Sequence, residues 1–396
     1  MYVWSSSILI IMNLKKTIFV SVWILALLMP SFLQAQTRQV PRFYHLLIGT
    51  YTNGTSKGIY VYKFDAKTGA VALEQVAAGV KDPSYLAVSA NNRFVYAVNE
   101  SHNPKGDSIS AFKFDDQSGK LTFINALPSF GNDPCYVSVD KNNRNLFVAN
   151  YSSGNLSVYS LKPDGSLGDS LQTIQHTGGS VDASRQKSPH VHAVVLSPDE
   201  KYLLSDDLGT DKVYEYVYQP NNKKPLKPAA NPTFVVDPGS GPRHIVFSKD
   251  AKHAYLVQEI SAKVRVFNYA NGKLTSIQNI DMEQPDFKGI NGAADIHLSP
   301  DGNFLYATNR GEANDLVVYK VNQATGKLAF VERQSTFGKA PRNFAIDPGG
   351  NFLLAANQNT DDVYTYKINK TTGKLTRTGA KLEISHPVCL KFVPMR

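Results

Sequence analysis

Cysteine is nearly absent: Cys135 and Cys389 are the only two among 396 residues. They fall in repeat units that are not neighbours. Two free, buried thiols are therefore expected, although an exported protein permits a disulfide. One histidine pair, in Pro189-His190-Val191-His192, offers two imidazoles on one face of a strand. No cysteine cluster and no carboxylate at ligand spacing accompanies it, so neither a metal nor another cofactor is expected. Basic runs with interleaved aromatics are also missing, which argues against a nucleic-acid partner. No covalent nucleophile stands out. Gly54-Thr55-Ser56-Lys57-Gly58 has the nucleophile-elbow spacing, but a strand follows where an elbow needs a helix.

Long apolar runs are confined to the N-terminus. Met12-Asn13-Leu14-Lys15-Lys16 reads as a positive segment, followed by an apolar run from Thr17 to about Leu28. Leu33 and Ala35 fit the −3 and −1 positions of a secretory signal, predicting cleavage after Ala35. Residues 1–11 then read as an over-extended start before Met12. An uncleaved membrane anchor is the alternative. After cleavage no membrane span is expected, and a periplasmic or secreted location follows. Loss of Lys15 and Lys16 takes the formal charge from +9 to +7. A modestly basic surface serves solubility and can also steer anions.

What the chain has in quantity is aromatic residues, with 20 Tyr and 20 Phe, which suit strands. It also has an internal repeat. The unit begins near a proline, alternates apolar residues, turns at Ser/Asp-x-Asp/Asn-Gly/Asn, and ends in an apolar strand closing on Asn-x. Examples start at Pro83, Pro134, Pro242, Ala293 and Pro341, with a sixth from His192 to Leu208. Each is a β-hairpin signal. A second strand pair follows each one, its turn usually marked by glycine: Gly69, Gly119, Gly165, Gly272, Gly326 and Gly373. The fourth unit has Asn221-Asn222-Lys223-Lys224-Pro225 instead.

Four strands in roughly 50 residues is the size of a propeller blade. Counting the second strand pairs predicts an all-β, seven-bladed β-propeller of four-stranded antiparallel blades over residues 36–396. The first blade lacks its innermost strand, and Pro387-Val388-Cys389-Leu390-Lys391-Phe392 resembles the missing piece. The C-terminal strand is thus expected to join the N-terminal blade and close the ring. Two β-sandwiches or an open solenoid are the other architectures weighed.

The units align on Ser89, Asp140, Ser197, Ser248, Ser299 and Asp347. Five positions earlier stand Ser84, Cys135, His192, Arg243, Ala294 and Arg342. Eleven positions later stand Glu100, Tyr151, Leu208, Glu259, Arg310 and Gln358. Both sets sit at one end of the two inner strands, so each forms a ring beside the central channel. Charged and polar members concentrate in blades four to seven. Asp207 and Asn309, one residue before ring positions, are expected to orient their neighbours and to help bind substrate, with His190, Tyr151 and Arg342. Strand alternation points His244 away from Arg243. Plain structural readings stand beside these: an Arg243–Glu259 ion pair between strands, hydrogen-bonded structural histidines, and Arg310 capping a turn.

From about Leu46 to Phe392 the sequence resembles the lactonase-type seven-bladed propellers, which include bacterial 6-phosphogluconolactonases and the fungal carboxy-muconate cyclase. The matching stretches are Ile48-Gly49-Thr50-Tyr51-Thr52, Ala149-Asn150-Tyr151, Pro189-His190-Val191-His192, and Asp207-Leu208-Gly209-Thr210-Asp211-Lys212-Val213. Gly241-Pro242-Arg243-His244, Ser299-Pro300-Asp301-Gly302 and Asn309-Arg310-Gly311 complete the set. The resemblance implies a catalytic group of one His, two Arg and one Glu, here His192 or His190, Arg243, Arg310 and Glu259. Many relatives have Glu where this chain has Asp295, whose reach is shorter. The implied activity is hydrolysis of a small sugar lactone; a monomer is expected, with Glu259 or His192 as base and, in the absence of a covalent nucleophile, direct attack by water. The implied 6-phosphorylated substrate is cytoplasmic, whereas an exported enzyme meets unphosphorylated aldonolactones. An intramolecular lyase of the muconate-cyclase kind, or a non-catalytic propeller binding a protein or glycan, are the other readings.

Overall fold

The structure is a computed structural model describing residues 41–103 and 106–396. The expected signal segment, residues 1–35, and the start before Met12 lie outside the described residues. Among the described residues, twenty-eight strands form seven four-stranded antiparallel sheets. Blade one combines Phe43–Thr50, Gly58–Asp65 and Val71–Ala78 with the C-terminal strand Pro387–Pro394. The pairing runs Leu46 to Phe392 and Ile48 to Leu390. The other blades take consecutive strands, their inner ones being Leu86–Val88, Pro134–Val139, Val191–Leu196, Pro242–Phe247, Ala293–Leu298 and Pro341–Ile346. Each inner strand contacts the inner strands on both sides, around the full circle. No helix among the described residues is long and apolar enough to cross a membrane.

Burial follows this geometry. The second strand of a blade, such as Phe94–Asn99, Asn145–Asn150 or Phe304–Asn309, is buried along its whole length. It lies between two neighbouring blades, so both of its faces are covered and its apolar residues run continuously. The outermost strands, such as Val71–Ala78, are mostly open to solvent. The core therefore lies between blades. Tyr255, Val257, Val264 and Val266 of blade five, for example, meet Ile296, Leu305, Val317 and Tyr319 of blade six.

The repeated turn residues have a mechanical role. Ser89 Oγ accepts from the Phe94 amide at 2.9 Å and donates to Asn91 at 2.8 Å. Ser197 repeats this with Tyr202 and Asp199. Where the unit carries Asp instead, as at Asp140, the carboxylate takes the same amides directly.

The missing glycine of blade four also has a cause. A Cβ on Gly165 of blade three, which has φ +84°, would lie 2.1 Å from the Phe94 ring of blade two. Gly373 sits the same way against Phe304. In blade three the residue matching these aromatics is Asn145, which instead donates to the Tyr218 hydroxyl and the Pro220 carbonyl of blade four. With no ring to lie against, the blade-four turn needs no glycine.

Candidate active site

In blades three to seven the inner strand is bulged near its start. The residues skipped by the ladder are Cys135, His192, Arg243, the pair Ala294–Asp295, and Arg342. A bulge re-aims a side chain that regular alternation would send elsewhere. Here it turns His192 and Arg342 toward a cavity of about 250 Å³, also lined by Glu100, Tyr151, Glu259 and Arg310. Cys135, His102, Asp133, Ser152 and Arg185 complete the lining. The cavity thus draws on blades two and three as well as four to seven, a wider span than the charge pattern had suggested.

Glu259 is its electrostatic centre. Its Oε2 accepts from Arg243 Nε at 3.0 Å and pairs with Arg310 Nη2 at 2.8 Å. Its Oε1 accepts from Arg185 Nη2 at 2.6 Å. Burial alone would raise the carboxyl, but Arg310, Arg243 and Arg185 outweigh it and hold the group far below the ordinary carboxylate range. His192 Nε2 stands 4.0 Å from Glu259 Oε2, and its Nδ1 lies 3.7 Å from Cys135 Sγ. Burial, then the charges of Arg243 and its neighbours, push the His192 imidazole well below its usual value. Burial pushes the Cys135 thiol up, so it is protonated and inert as a nucleophile. Arg310 falls to about 10, chiefly through burial, and remains a cation at neutral pH.

Both structural readings of the arginines describe contacts that are present. Arg243 does tie strands through Glu259, and Arg310 Nε does cap a turn by donating to the Gly292 carbonyl at 2.8 Å. Arg243 is 2% exposed and lies beneath the cavity rather than on its wall. Arg342 does line it, with Nη2 3.8 Å from Glu100. Tyr151 also lines it and stacks on His190 at 4.4 Å.

The remaining expected residues stand behind the wall. His190 is not on the wall: it braces Tyr151 and donates to the Tyr151 carbonyl through Nδ1. Asp207 is fully buried and holds the amides of His190, Gly209 and Thr210 and the His176 ring, as expected of a residue that orients its neighbours. Asn309 is likewise fully buried, holding Gly292, Glu283 and Asn291. His244 does not turn away from Arg243: the bulge between Pro242 and His244 brings Arg243 Nη1 to 3.2 Å from its ring.

Arg185 escaped the sequence reading. It stands on the connection 176–190, where its amide is held by Asp182. That connection has no counterpart in the repeat, so register could not point to it. Ser56 of the rejected elbow bonds to Thr50, and both cysteines are free and buried. Among the described residues no group of three or more His, Cys, Asp or Glu is arranged to hold a metal ion.

Comparison with known proteins agrees with this architecture. Residues 45–392 match the family described as "Lactonase, 7-bladed beta-propeller". The chain is 37% identical to the 6-phosphogluconolactonase of Bacillus subtilis, over 87% of this chain and 97% of that protein. It is 33% identical to the 6-phosphogluconolactonase of Formosa agariphila, over 80% of this chain and 90% of that one. The structure of the periplasmic gluconolactonase of Pseudomonas aeruginosa superposes with a TM-score of 0.86 at 41% identity, covering 89% of this chain and all of the other. The protein belongs to the seven-bladed β-propeller lactonase family.

Proposed function

We propose that this protein hydrolyses an unphosphorylated sugar lactone, with His192 as the proton acceptor and Glu259 as the anchor of the arginines. The observation that carries this is the loading of Glu259. A carboxylate shared by three guanidiniums is a poor base. His192, kept neutral beside it, has a ring nitrogen available to take a proton from water. Water attacks the lactone carbonyl as its proton passes to His192. Arg310, on the cavity wall, stabilises the oxyanion, while Arg243 beneath it holds Glu259 in place. The imidazolium then returns the proton to the ring oxygen as the ester bond breaks, giving the open hydroxy acid.

Charge balance on the wall supports a neutral substrate. Arg185, Arg310 and Arg342 face Glu100, Asp133 and Glu259 on the wall, and the further arginine, Arg243, is engaged from below by Glu259 and the Ala294 carbonyl. The same polar groups can bond sugar hydroxyls, and a cavity of about 250 Å³ suits a single ring. Export to the periplasm or beyond, action as a monomer and independence of metal belong to the same reading.

The test is a panel of glucono-1,5-lactone and its 6-phosphate, with and without chelator, on the purified protein and two variants. The unphosphorylated lactone is expected to have the higher kcat/KM by at least about tenfold, near 1.4 kcal/mol, with chelator making no difference. His192→Ala is expected to lower kcat by roughly 10²–10⁴ and to abolish the acid limb of the pH profile. Glu259→Gln is expected to lower kcat while keeping that limb. Faster turnover of the phosphate ester would overturn the substrate assignment. An acid limb that survives His192→Ala would transfer the base role elsewhere.

A further inference from the structure

Two groups on the cavity wall are left unspent by the chemistry above: the guanidinium of Arg342 and one oxygen of Glu100. Their side chains are 17% and 8% exposed. Glu100 follows the blade-two strand Phe94–Asn99, and Arg342 stands at the start of the blade-seven strand Pro341–Ile346. Blades two and seven flank blade one, so the pair lies across the ring from Glu259 of blade five. Tyr51, in the stretch Ile48-Gly49-Thr50-Tyr51-Thr52, donates its hydroxyl to Glu100 Oε2 at 2.7 Å. Burial pushes the Tyr51 phenol well above its ordinary value, so it keeps the proton and the direction of this bond is fixed. The backbone is held on both sides. The Tyr51 amide donates to the His386 carbonyl at 3.0 Å, and the Glu100 amide to the Asp82 carbonyl at 3.0 Å. Among the described residues no group donates to Glu100 Oε1. Arg342 Nη2 lies 3.8 Å from Glu100 Oε2, too far for a hydrogen bond. Its guanidinium carbon is 5.6 Å from the centre of the Tyr51 ring, and its N–H groups meet no acceptor among the described residues. Arg310 and Arg185, by contrast, are both engaged by Glu259.

We propose that Glu100 and Arg342 are the specificity pair that reads the ring hydroxyls of the sugar, with Tyr51 as the positioning residue that fixes Glu100. A hydroxyl has one proton to give and lone pairs with which to accept. Glu100 Oε1 takes that proton and Arg342 donates to the oxygen, so one hydroxyl supplies what each group lacks in the protein. The carbonyl of the lactone sits at His192 and Arg310. The ring atoms farthest from it in an aldono-1,5-lactone are C3 and C4, whose hydroxyls then point toward blades two and seven. An anion seated at Arg342 would face Glu100 at close range, so the pair selects a neutral hydroxyl over a phosphate or a carboxylate. A ring without hydroxyls leaves both groups desolvated and unpaired, and is rejected for that reason. The placement of C3 and C4 rests on the hydrolytic reading above; the binding of ring hydroxyls by Glu100 does not.

The experiment has a kinetic and a binding readout. The kinetic one compares glucono-1,5-lactone with δ-valerolactone, which has the same six-membered ring and no hydroxyls. In Glu100→Gln the ratio of their kcat/KM values is expected to fall by about tenfold or more, mainly through a higher KM for gluconolactone. Tyr51→Phe removes the anchor and leaves Glu100 in place, and should lower the same ratio by about threefold to tenfold. The binding readout is an NMR titration with 1,5-anhydro-D-glucitol, which keeps the ring hydroxyls and has no carbonyl to react. Wild type is expected to bind it, and Glu100→Gln to bind it at least about tenfold more weakly. A ratio unchanged in Glu100→Gln overturns the proposal, whether both lactones slow alike or neither does. Anhydroglucitol binding that is absent in the wild type, or indifferent to Glu100→Gln, overturns it as well. Where δ-valerolactone turns over too slowly to measure, the binding readout decides. If Glu100→Gln does not fold, Tyr51→Phe decides on both readouts. A wild type that turns over neither lactone but binds anhydroglucitol through Glu100 defeats the hydrolytic reading alone.

Discussion

Arg185 joins two groups at the mouth of the cavity, Glu259 at 2.6 Å and the Tyr151 hydroxyl at 3.4 Å. Its side chain is 42% exposed, unlike that of Arg243 at 2%. A half-exposed guanidinium is hydrated and movable, so it contributes more to holding substrate than to the transition state. Arg185→Ala is therefore expected to raise KM by about tenfold and lower kcat less than threefold, read from steady-state kinetics. Glu259 keeps two arginines, which is why the chemistry should survive. The contrast between Arg185 and the other arginines also marks how far single residues were legible. Arg243, Arg310 and Arg342 were visible because the repeat assigns each a ring position. Arg185 sits in a connection unique to blade four, so no second copy could reveal its place. Asp207 and Asn309 were placed correctly beside the ring positions, but sequence position does not say which amides will fold back onto their side-chain oxygens.

At the scale of an element, blade four carries an unusual burden. Asp206 pairs with Val213 and Leu204 with Glu215 across adjacent strands, so the four share one face. Leu204 and Val213 pack there against Ile245, Leu256 and Phe267 of blade five. Neither oxygen of Asp206 has a hydrogen-bond partner among the described residues, nor does Glu215 Oε2. Burial pushes Asp206 well above the carboxylate range and Glu215 up to about 7. For a raised acid the folded state binds the proton more tightly, so stability is complete below the unfolded value and falls as pH rises through the folded one. Thermal unfolding is thus expected at decreasing temperature from about pH 4.5 to about pH 7, and Glu215→Gln should flatten that descent. Asp206→Val replaces an unsatisfied group with a strand-forming apolar one and should stabilise by about 1–3 kcal/mol. A fall in melting temperature for that variant would show that the carboxylate has a partner role. Alternation predicted strands well, yet it misdirected His244, because a bulge shifts every later side chain to the other face and only its geometry reveals it.

The whole molecule depends on a joint between its two ends. The blade count and the closing strand were legible because each blade repeats one pattern and the first lacked a piece that the C-terminus supplied. The span of the site was less so: charge along the sequence weights blades four to seven, whereas Glu100, Cys135 and Tyr151 close the cavity from two and three. The joint itself makes a strong claim. Val388, Cys389, Leu390 and Val393 are each at most 2% exposed. Burial of one such aliphatic side chain contributes about 1.5–3 kcal/mol, and a domain's whole margin is about 5–15 kcal/mol. Leu390 and its neighbours also cover Leu46, Ile48, Ala345 and Leu354 from blades one and seven. Deleting residues 387–396 removes this inner strand and leaves a sheet edge open at the channel. The truncated chain is expected not to fold, and to be recovered as aggregate. Leu390→Ala is the graded version, expected to cost about 2–5 kcal/mol and to lower the melting temperature while the ring still closes. A truncated chain that melts like the full one would mean that six blades and a partial seventh hold the ring without the joint. The inner-strand contacts around the circle would then be stronger than their burial implies.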